Sequence, residues 1–189
     1  MADLNLFQNN NALLHLIDFI KRNGKRKVFH KKDFFVHSGE YHDEVAYILR
    51  GSFKYFFYDY RNKEQIISFS FEHELIACYF PFRFGLNAWF NVQAMEDSVV
   101  MVISLKDLIQ EIQTMKDGNM YMLSCVECLA VDLVQKNISF RRDSPEHRYM
   151  SLLKRIPNIL YRVSIKEIAS YIGVTPETLS RIRTRQLYK

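Results

Sequence analysis

Residues Ser164–Arg185 read SIKEIASYIGVTPETLSRIRTR, and this stretch decides the architecture of the C-terminal part of the chain. Ser164-Ile165-Lys166-Glu167 has the serine and the glutamate three residues on that close a capping box, so a helix starts there and runs through Ile172. Gly173 stops it, because glycine takes the left-handed conformation that ends helices. Thr175-Pro176-Glu177 supplies at once an N-cap, a first-position proline and a first-turn acid for the next helix. Ile168, Ile172, Leu179 and Ile182 supply a shared core and Ala169 is small where the helices cross, which is a helix-turn-helix.

The second helix has the surface of a DNA-reading element. Glu177, Ser180, Arg181 and Thr184 follow i, i+3, i+4, i+7 spacing on one side, while Leu179 and Ile182 face inward. Arginine makes a bidentate contact to guanine, glutamate accepts from the cytosine amino group, and serine serves base or backbone. Thr175 and Thr178 lie at the helix start, where N–H groups and hydroxyls face phosphate, and Arg183 and Arg185 extend the positive charge. The candidate DNA-binding set is therefore Thr175, Glu177, Thr178, Ser180, Arg181, Arg183, Thr184 and Arg185. A generic basic amphipathic helix is the plain alternative.

Charge distribution agrees with this reading. The 189 residues carry a formal charge of +5. Residues 141–189 hold eleven basic against four acidic side chains, whereas residues 1–140 hold fifteen against seventeen. A near-neutral body with a basic module suits a polyanion partner, although a solubilising surface has the same signature.

Moving toward the N-terminus, Ser144-Pro145-Glu146 opens a helix to about Arg155, which Pro157 ends. Asn119–Phe140 reads as one long helix in which Leu123, Val126, Ala130, Leu133, Asn137 and Phe140 form an a/d seam. Met122, Cys125 and Leu129 add a second apolar flank. Both flanks could pack within one chain; the favoured reading packs one on the body and pairs the seam with a second copy, Asn137 setting the register. Ser104 caps a short helix, Leu105–Met115.

From about Lys27 to Ile103 the texture is β. VAYILRG, SFKYFFYDY, EQIISFSF, NVQAMED and SVVMVIS are short β-branched and aromatic runs, and Asp59-Tyr60-Arg61-Asn62-Lys63 reads as a hairpin turn. Strands without intervening helices predict an antiparallel barrel or sandwich. Lys25-Arg26-Lys27 and Lys31-Lys32 are read as a solvated basic run ahead of the first strand.

Several function classes are excluded. No apolar run approaches the length of a membrane span, Met1–Gln8 lacks the features of a signal peptide, and Cys78, Cys125 and Cys128 make no disulfide framework. The expected location is cytoplasmic, with no membrane partner. No P-loop, dinucleotide fingerprint or nucleophile elbow occurs, so no enzyme is expected. Cys125-x-x-Cys128 lies mid-helix without a second ligand pair, and no metal is expected. A catalytic cupin would need His37, Glu40 and His42 to converge from one short loop.

The helix-turn-helix, with SPEHRYMSLLKRIPNILYRVSIKEIASYIG before it, resembles that of the cyclic-AMP receptor protein / fumarate-nitrate regulator (Crp/Fnr) family of bacterial transcription factors, notably short Bacteroidetes-type members. Gly39-Glu40, Asp43 and Tyr47-Ile48-Leu49-Arg50-Gly51-Ser52 resemble the family's cyclic-nucleotide-binding β-roll. The resemblance implies an α+β fold: an antiparallel, double-stranded-β-helix roll over residues 1–118, a dimerisation helix over 119–140, and a winged-helix-like helix-turn-helix domain over 141–189. It implies base contacts from Glu177, Ser180 and Arg181, a homodimer on an inverted repeat of double-stranded DNA, and RNA polymerase as a partner. Where nucleotide-binding members place a Gly-Glu pair and then an Arg with a small hydroxyl residue, this chain has Ala77-Cys78 and Leu86-Asn87. Cyclic AMP is therefore not the expected effector, and no cofactor is expected. Cys78, Tyr79, Phe82, Arg83 and Asn87 are the candidate effector pocket, alternatively a pocket filled by its own aromatic residues. Only four residues follow Arg185, so a wing hairpin is expected to be missing or minimal, with Arg141, Arg142, Arg148 and Arg162 compensating. The rival reading is a ligand-binding roll whose helical end docks a protein.

Overall fold

The computed structural model describes residues 11–187; Met1–Gln8 and Lys189 lie outside them. In chain order the elements are α1 (Asn11–Asn23), β1 (Lys25–Phe29), β2 (Phe34–Val36), β3 (Glu44–Arg50), β4 (Phe53–Tyr58), β5 (Glu64–Ser70), β6 (Leu75–Ala77), α2 (Tyr79–Arg83), β7 (Asn91–Ala94) and β8 (Ser98–Ser104). There follow α3 (Leu105–Thr114), α4 (Gly118–Arg142), α5 (Pro145–Arg155), α6 (Ile159–Arg162), α7 (Ile165–Ile172) and α8 (Pro176–Leu187). The fold is α+β, as expected.

The strands form two antiparallel sheets, ordered β1-β8-β3-β6 and β2-β7-β4-β5. Their inner faces are filled by Phe35, Val36, Ile48, Phe53, Ile76, Val92 and Val100. Phe29, Phe35 and Phe53 meet edge to face at centroid separations of 5.9, 5.7 and 6.5 Å, the geometry that ring quadrupoles favour. The five β runs of the sequence became β3, β4, β5, β7 and β8. The short strands β1, β2 and β6 and the helices α1, α2 and α6 went unanticipated, and α2 interrupts the strands where no helix was expected. Lys25-Arg26-Lys27 lies within β1, not ahead of it. Among the described residues that strand pairs only with β8, and exposed basic residues are what an open sheet edge tolerates.

On the outer face of the first sheet, Leu16 and Ile20 of α1 pack with Val45, Tyr47, Leu105, Leu108 and Ile112. Gly118 opens α4 where a Cβ would stand 1.8 Å from the Ile112 carbonyl oxygen, so only glycine lets α4 leave α3 this closely.

The last four helices share a core of Tyr149, Leu152, Ile159, Val163, Ile168, Ala169, Ile172, Leu179 and Ile182. It continues without a break into Phe56, Ile66 and Phe69 of the second sheet and Phe71 just after it. Truncating the fully buried Leu152 to Ala is expected to cost about 2–5 kcal/mol, read by denaturant unfolding. Because the cluster spans both halves, roll and helices should unfold in one transition; two separate transitions would contradict this.

Candidate nucleic-acid interface

The helix-turn-helix forms as its caps dictate. The Ser164 hydroxyl accepts from the Glu167 N–H at 3.3 Å while the Glu167 carboxylate accepts from the Ser164 N–H at 3.2 Å. Gly173 has φ of 74°, and the Val174 N–H returns to the Ala169 carbonyl at 2.9 Å. A Cβ on Gly173 would meet the Phe140 ring at 2.9 Å, so the turn also needs glycine for its approach to α4.

With Leu179 and Ile182 sealed in the core, α8 turns Thr175, Glu177, Ser180, Arg181, Thr184 and Arg185 to solvent. Thr175 Oγ accepts from the Thr178 N–H at 3.3 Å and caps the helix start. The Glu177 carboxyl is held below the ordinary range, first by its own backbone N–H and then by the Thr175 hydroxyl, with Arg181 and Lys63 adding positive charge. Arg183 is the exception: it is half-buried and hydrogen-bonds the phenol of buried Tyr149. It braces α8 against α5.

The four compensating arginines are mostly engaged inside the molecule. Arg162 donates to both carboxylate oxygens of Glu72 at 2.6 and 2.8 Å and to Glu96 at 2.5 Å, and lies over the Phe71 ring. Arg148 donates to the Ile172 and Asp143 carbonyls at 2.9 and 2.6 Å, and its guanidinium covers the Phe140 ring. Arg142 pairs with Asp143, and Arg141 donates to the Asn137 side chain. Sequence reasoning counted these charges but missed their acceptors, which lie up to 90 residues away.

The docking of the helices on the roll is polar as well as apolar. Lys54, 11% exposed at its side chain, bridges Glu64 of β5 at 2.7 Å and Glu167 of α7 at 3.0 Å. Burial alone would lower the Lys54 pKa, but the two carboxylates raise it. The Ser170 hydroxyl of α7 accepts from the Ile66 N–H at 3.0 Å and donates to the Glu64 carbonyl.

Along α4, Tyr121, Cys125, Cys128, Asp132, Gln135 and Ser139 are half-buried and recur every three or four residues, which places them on one side. The opposite side exposes Leu123, Ala130, Leu133, Val134, Asn137 and Ile138, with Val126 half-buried beside them. The helix thus turns a polar side inward and an apolar side outward, with Leu133 53% and Val134 57% exposed. Of the second flank, Met122 packs on the α1–α3 cluster and Cys125 is half-buried, but Leu129 belongs to the exposed side. Phe140 lies beneath Arg148 and against Gly173, anchoring the turn.

The candidate effector residues are not brought to one cavity. Cys78 is buried in the roll core, and burial pushes its thiol up to about 11. The Tyr79 hydroxyl points at Met122 Sδ, Phe82 meets Tyr41 at 6.4 Å between centroids, and Arg83 and Asn87 face solvent. His37 stacks on Phe34 and His42 meets Phe35 edge-on, so they do not converge with Glu40, and no metal-ligating group of three occurs among the described residues. No helix among the described residues is long and apolar enough to cross a membrane.

Residues 26–115 match the cyclic nucleotide-binding domain family. The chain is similar in structure to FixK2 from Bradyrhizobium japonicum, with a TM-score of 0.75 at 15% identity, over 86% of this chain and 83% of that one. It is similar to the c-di-GMP-responsive global regulator CLP of Xanthomonas campestris, with a TM-score of 0.69 at 15% identity, over 93% and 92%. It also resembles a transcriptional regulator from Thermotoga maritima, with a TM-score of 0.55 at 20% identity, over 68% and 98%. At these identities the likeness establishes the fold. No curated protein matches the chain.

Burial works against ionisation of Glu72, but the Arg162 guanidinium and the Gly51 N–H bring its carboxyl down to about 2. A depressed carboxylate stabilises the fold above its unfolded-state pKa and loses that contribution as pH falls. Acid should therefore weaken the roll–helix contact from about pH 4.3 down to about pH 2. Arg162→Met is expected to flatten this part of the stability–pH curve, measured by thermal unfolding across that range.

Proposed function

We propose that the protein is a homodimeric, sequence-specific DNA-binding transcription regulator of the Crp/Fnr type, akin to its short Bacteroidetes members, with no catalytic role. The observation that carries this is α8: a helix capped at its start by Thr175, whose inner face is sealed by Leu179 and Ile182 and whose outer face presents Glu177, Ser180, Arg181 and Thr184 to solvent. Those four groups have the hydrogen-bonding repertoire that the major groove answers. Arg185 and the N-terminal hydroxyls of Thr175 and Thr178 contact phosphate, and Arg183 holds the helix in place. The roll over 1–118, the α4 segment over 119–140 and the reading module over 141–189 are the working divisions.

The outward apolar side of α4 supports the dimer. An exposed stripe of Leu, Val and Ile on a 25-residue helix asks for a second copy. Pairing about a two-fold axis would set two α8 helices on half-sites about 34 Å apart, hence an inverted repeat. RNA polymerase is the expected partner on DNA, and the protein works in the cytoplasm. The effector is not cyclic AMP. The inner faces of the roll are occupied by Phe29, Phe35 and Phe53, and buried Cys78 stands where the nucleotide-binding pattern has its Gly-Glu pair. An effector, if one acts, shifts the two protomers by the difference in its affinity for their two arrangements.

Selection from a random duplex pool tests this directly. Wild type should enrich an inverted repeat, and Arg181→Ala should lose about 1–3 kcal/mol at one base position and relax the preference there. Weak, salt-driven binding without preference would favour the protein-docking reading instead. Leu133→Asp should dissociate the dimer. Burying an exposed leucine is worth about 1.5–3 kcal/mol per protomer, so dimer affinity should fall roughly 100-fold or more in sedimentation analysis.

A further inference from the structure

We propose that the β4–β5 hairpin of the roll, residues 59–63, is a second DNA-contacting element, in which Arg61 and Lys63 neutralise backbone phosphates beside the bases that α8 reads. This rests on the DNA-binding reading above and extends the interface to a part of the chain outside the helix-turn-helix.

Placement is the first argument. The start of β5 is fastened to α7 by the Lys54–Glu64 and Lys54–Glu167 ion pairs and by the Ser170 hydroxyl bridging Ile66 and Glu64. Lys63 is the residue before Glu64, and Thr175 follows Ser170 by one short turn. A strand advances about 3.3 Å per residue, so the tip projects past α7 toward the start of α8. The charge of Lys63 reaches the Glu177 carboxylate and helps to lower its pKa, in agreement with that neighbourhood.

The tip is also rigid. One Asp59 carboxylate oxygen accepts the Arg61 and Lys63 N–H groups at 2.9 Å each, and the other accepts from the Gln65 amide at 2.8 Å. The Asp59 N–H closes the turn on the Lys63 carbonyl at 3.0 Å, with Asn62 in the left-handed region at φ of 57°. These bonds hold the backbone of the turn, so the Arg61 and Lys63 side chains project from a defined loop.

Free charge is the third argument. Arg61 and Lys63 are exposed, and among the described residues neither forms an ion pair. Arg61 lies over the ring of Tyr60, itself 88% exposed, at 5.0 Å. By contrast, Arg148 and Arg162 of the helical module are consumed by internal acceptors. Arg185 at the end of α8 and, from the roll, Arg61 and Lys63 are thus among the exposed cations that no ion pair holds among the described residues.

The test measures binding of full-length protein to the selected duplex and to a scrambled one across a salt series. Wild type, Arg181→Ala, the double variant Arg61→Ala/Lys63→Ala and the charge-keeping Arg61→Lys/Lys63→Arg are compared. Each phosphate contact contributes about 0.9 to the slope of log affinity against log salt. Losing two per protomer should lower the slope of a dimer by about 3 to 4. The Ala double variant should lose affinity by the same factor, roughly tenfold or more, on both duplexes while enriching the same sequence. The charge-keeping variant should restore the slope. An unchanged slope overturns the proposal, and so does tighter binding by the Ala variant, which would mean that the hairpin obstructs DNA. Failure of the regulator reading looks different: wild type then prefers no sequence, and the hairpin is still judged by its slope on the scrambled duplex.

Discussion

The seating of α7 on β5 is the constraint from which the arrangement of the molecule follows. Lys54 carries its ammonium into that contact, where it answers Glu64 from its own sheet and Glu167 from the helix. A cation so buried is tolerated only with partners in place, and removing Lys54 would leave Glu64 and Glu167 facing the contact without the cation that both share. The triad, with the Ser170 bridge to Ile66, therefore specifies one register of helix on strand. Arg162 repeats the device at the other end by clamping Glu72 and Glu96. Glu167 also completes the capping box, so one carboxylate both starts the first helix of the motif and fastens it to the roll.

With the helices seated in this way, the second sheet of the roll and α8 share one continuous core. Under the proposed function, a signal in the roll reaches DNA by shifting one protomer against another, and α4 is the element between them. Its two sides are unusual in a lone chain. The polar one, with Asp132, Gln135 and Ser139, is half-buried against the body, while Leu123, Leu133, Val134 and Ile138 face water. Burial of apolar surface drives helix packing, so this inversion needs a second surface to complete it. Gly173 and Phe140 link the two systems: the ring occupies the space that a side chain on the glycine would fill.

Under the proposed function, the interior of the roll does not supply cyclic-nucleotide chemistry. Where a cyclic phosphate and a ribose would need convergent donors and an acceptor, this chain brings the buried thiol of Cys78, which burial pushes up to about 11, and aromatic rings that fill the space between the sheets. Arg83, the basic member of the candidate effector pocket, faces solvent.

Local chemistry made much of this legible in the residues. Caps at Ser104, Ser144 and Ser164, the stop at Gly173 and the strand runs of 45–51, 52–60, 64–71 and 98–104 act over a few neighbours, and the elements formed where they pointed. The outward set Glu177, Ser180, Arg181 and Thr184 was equally plain, because helical spacing decides which side chains share a face. The strands β1, β2 and β6 were not, since segments of three to five residues have too little pattern and take their conformation from the ladders they join. Nor could spacing tell which arginines remain free. Arg148 and Arg162 look like DNA ligands in the sequence and are internal braces in the fold, because their acceptors come from distant segments. The same long-range packing brings the charge of Lys63 within reach of Glu177 of α8, more than 110 residues later in the chain. Short-range hydrogen bonds and periodicity are written in order along the chain; charge pairing across it exists only once the chain has folded.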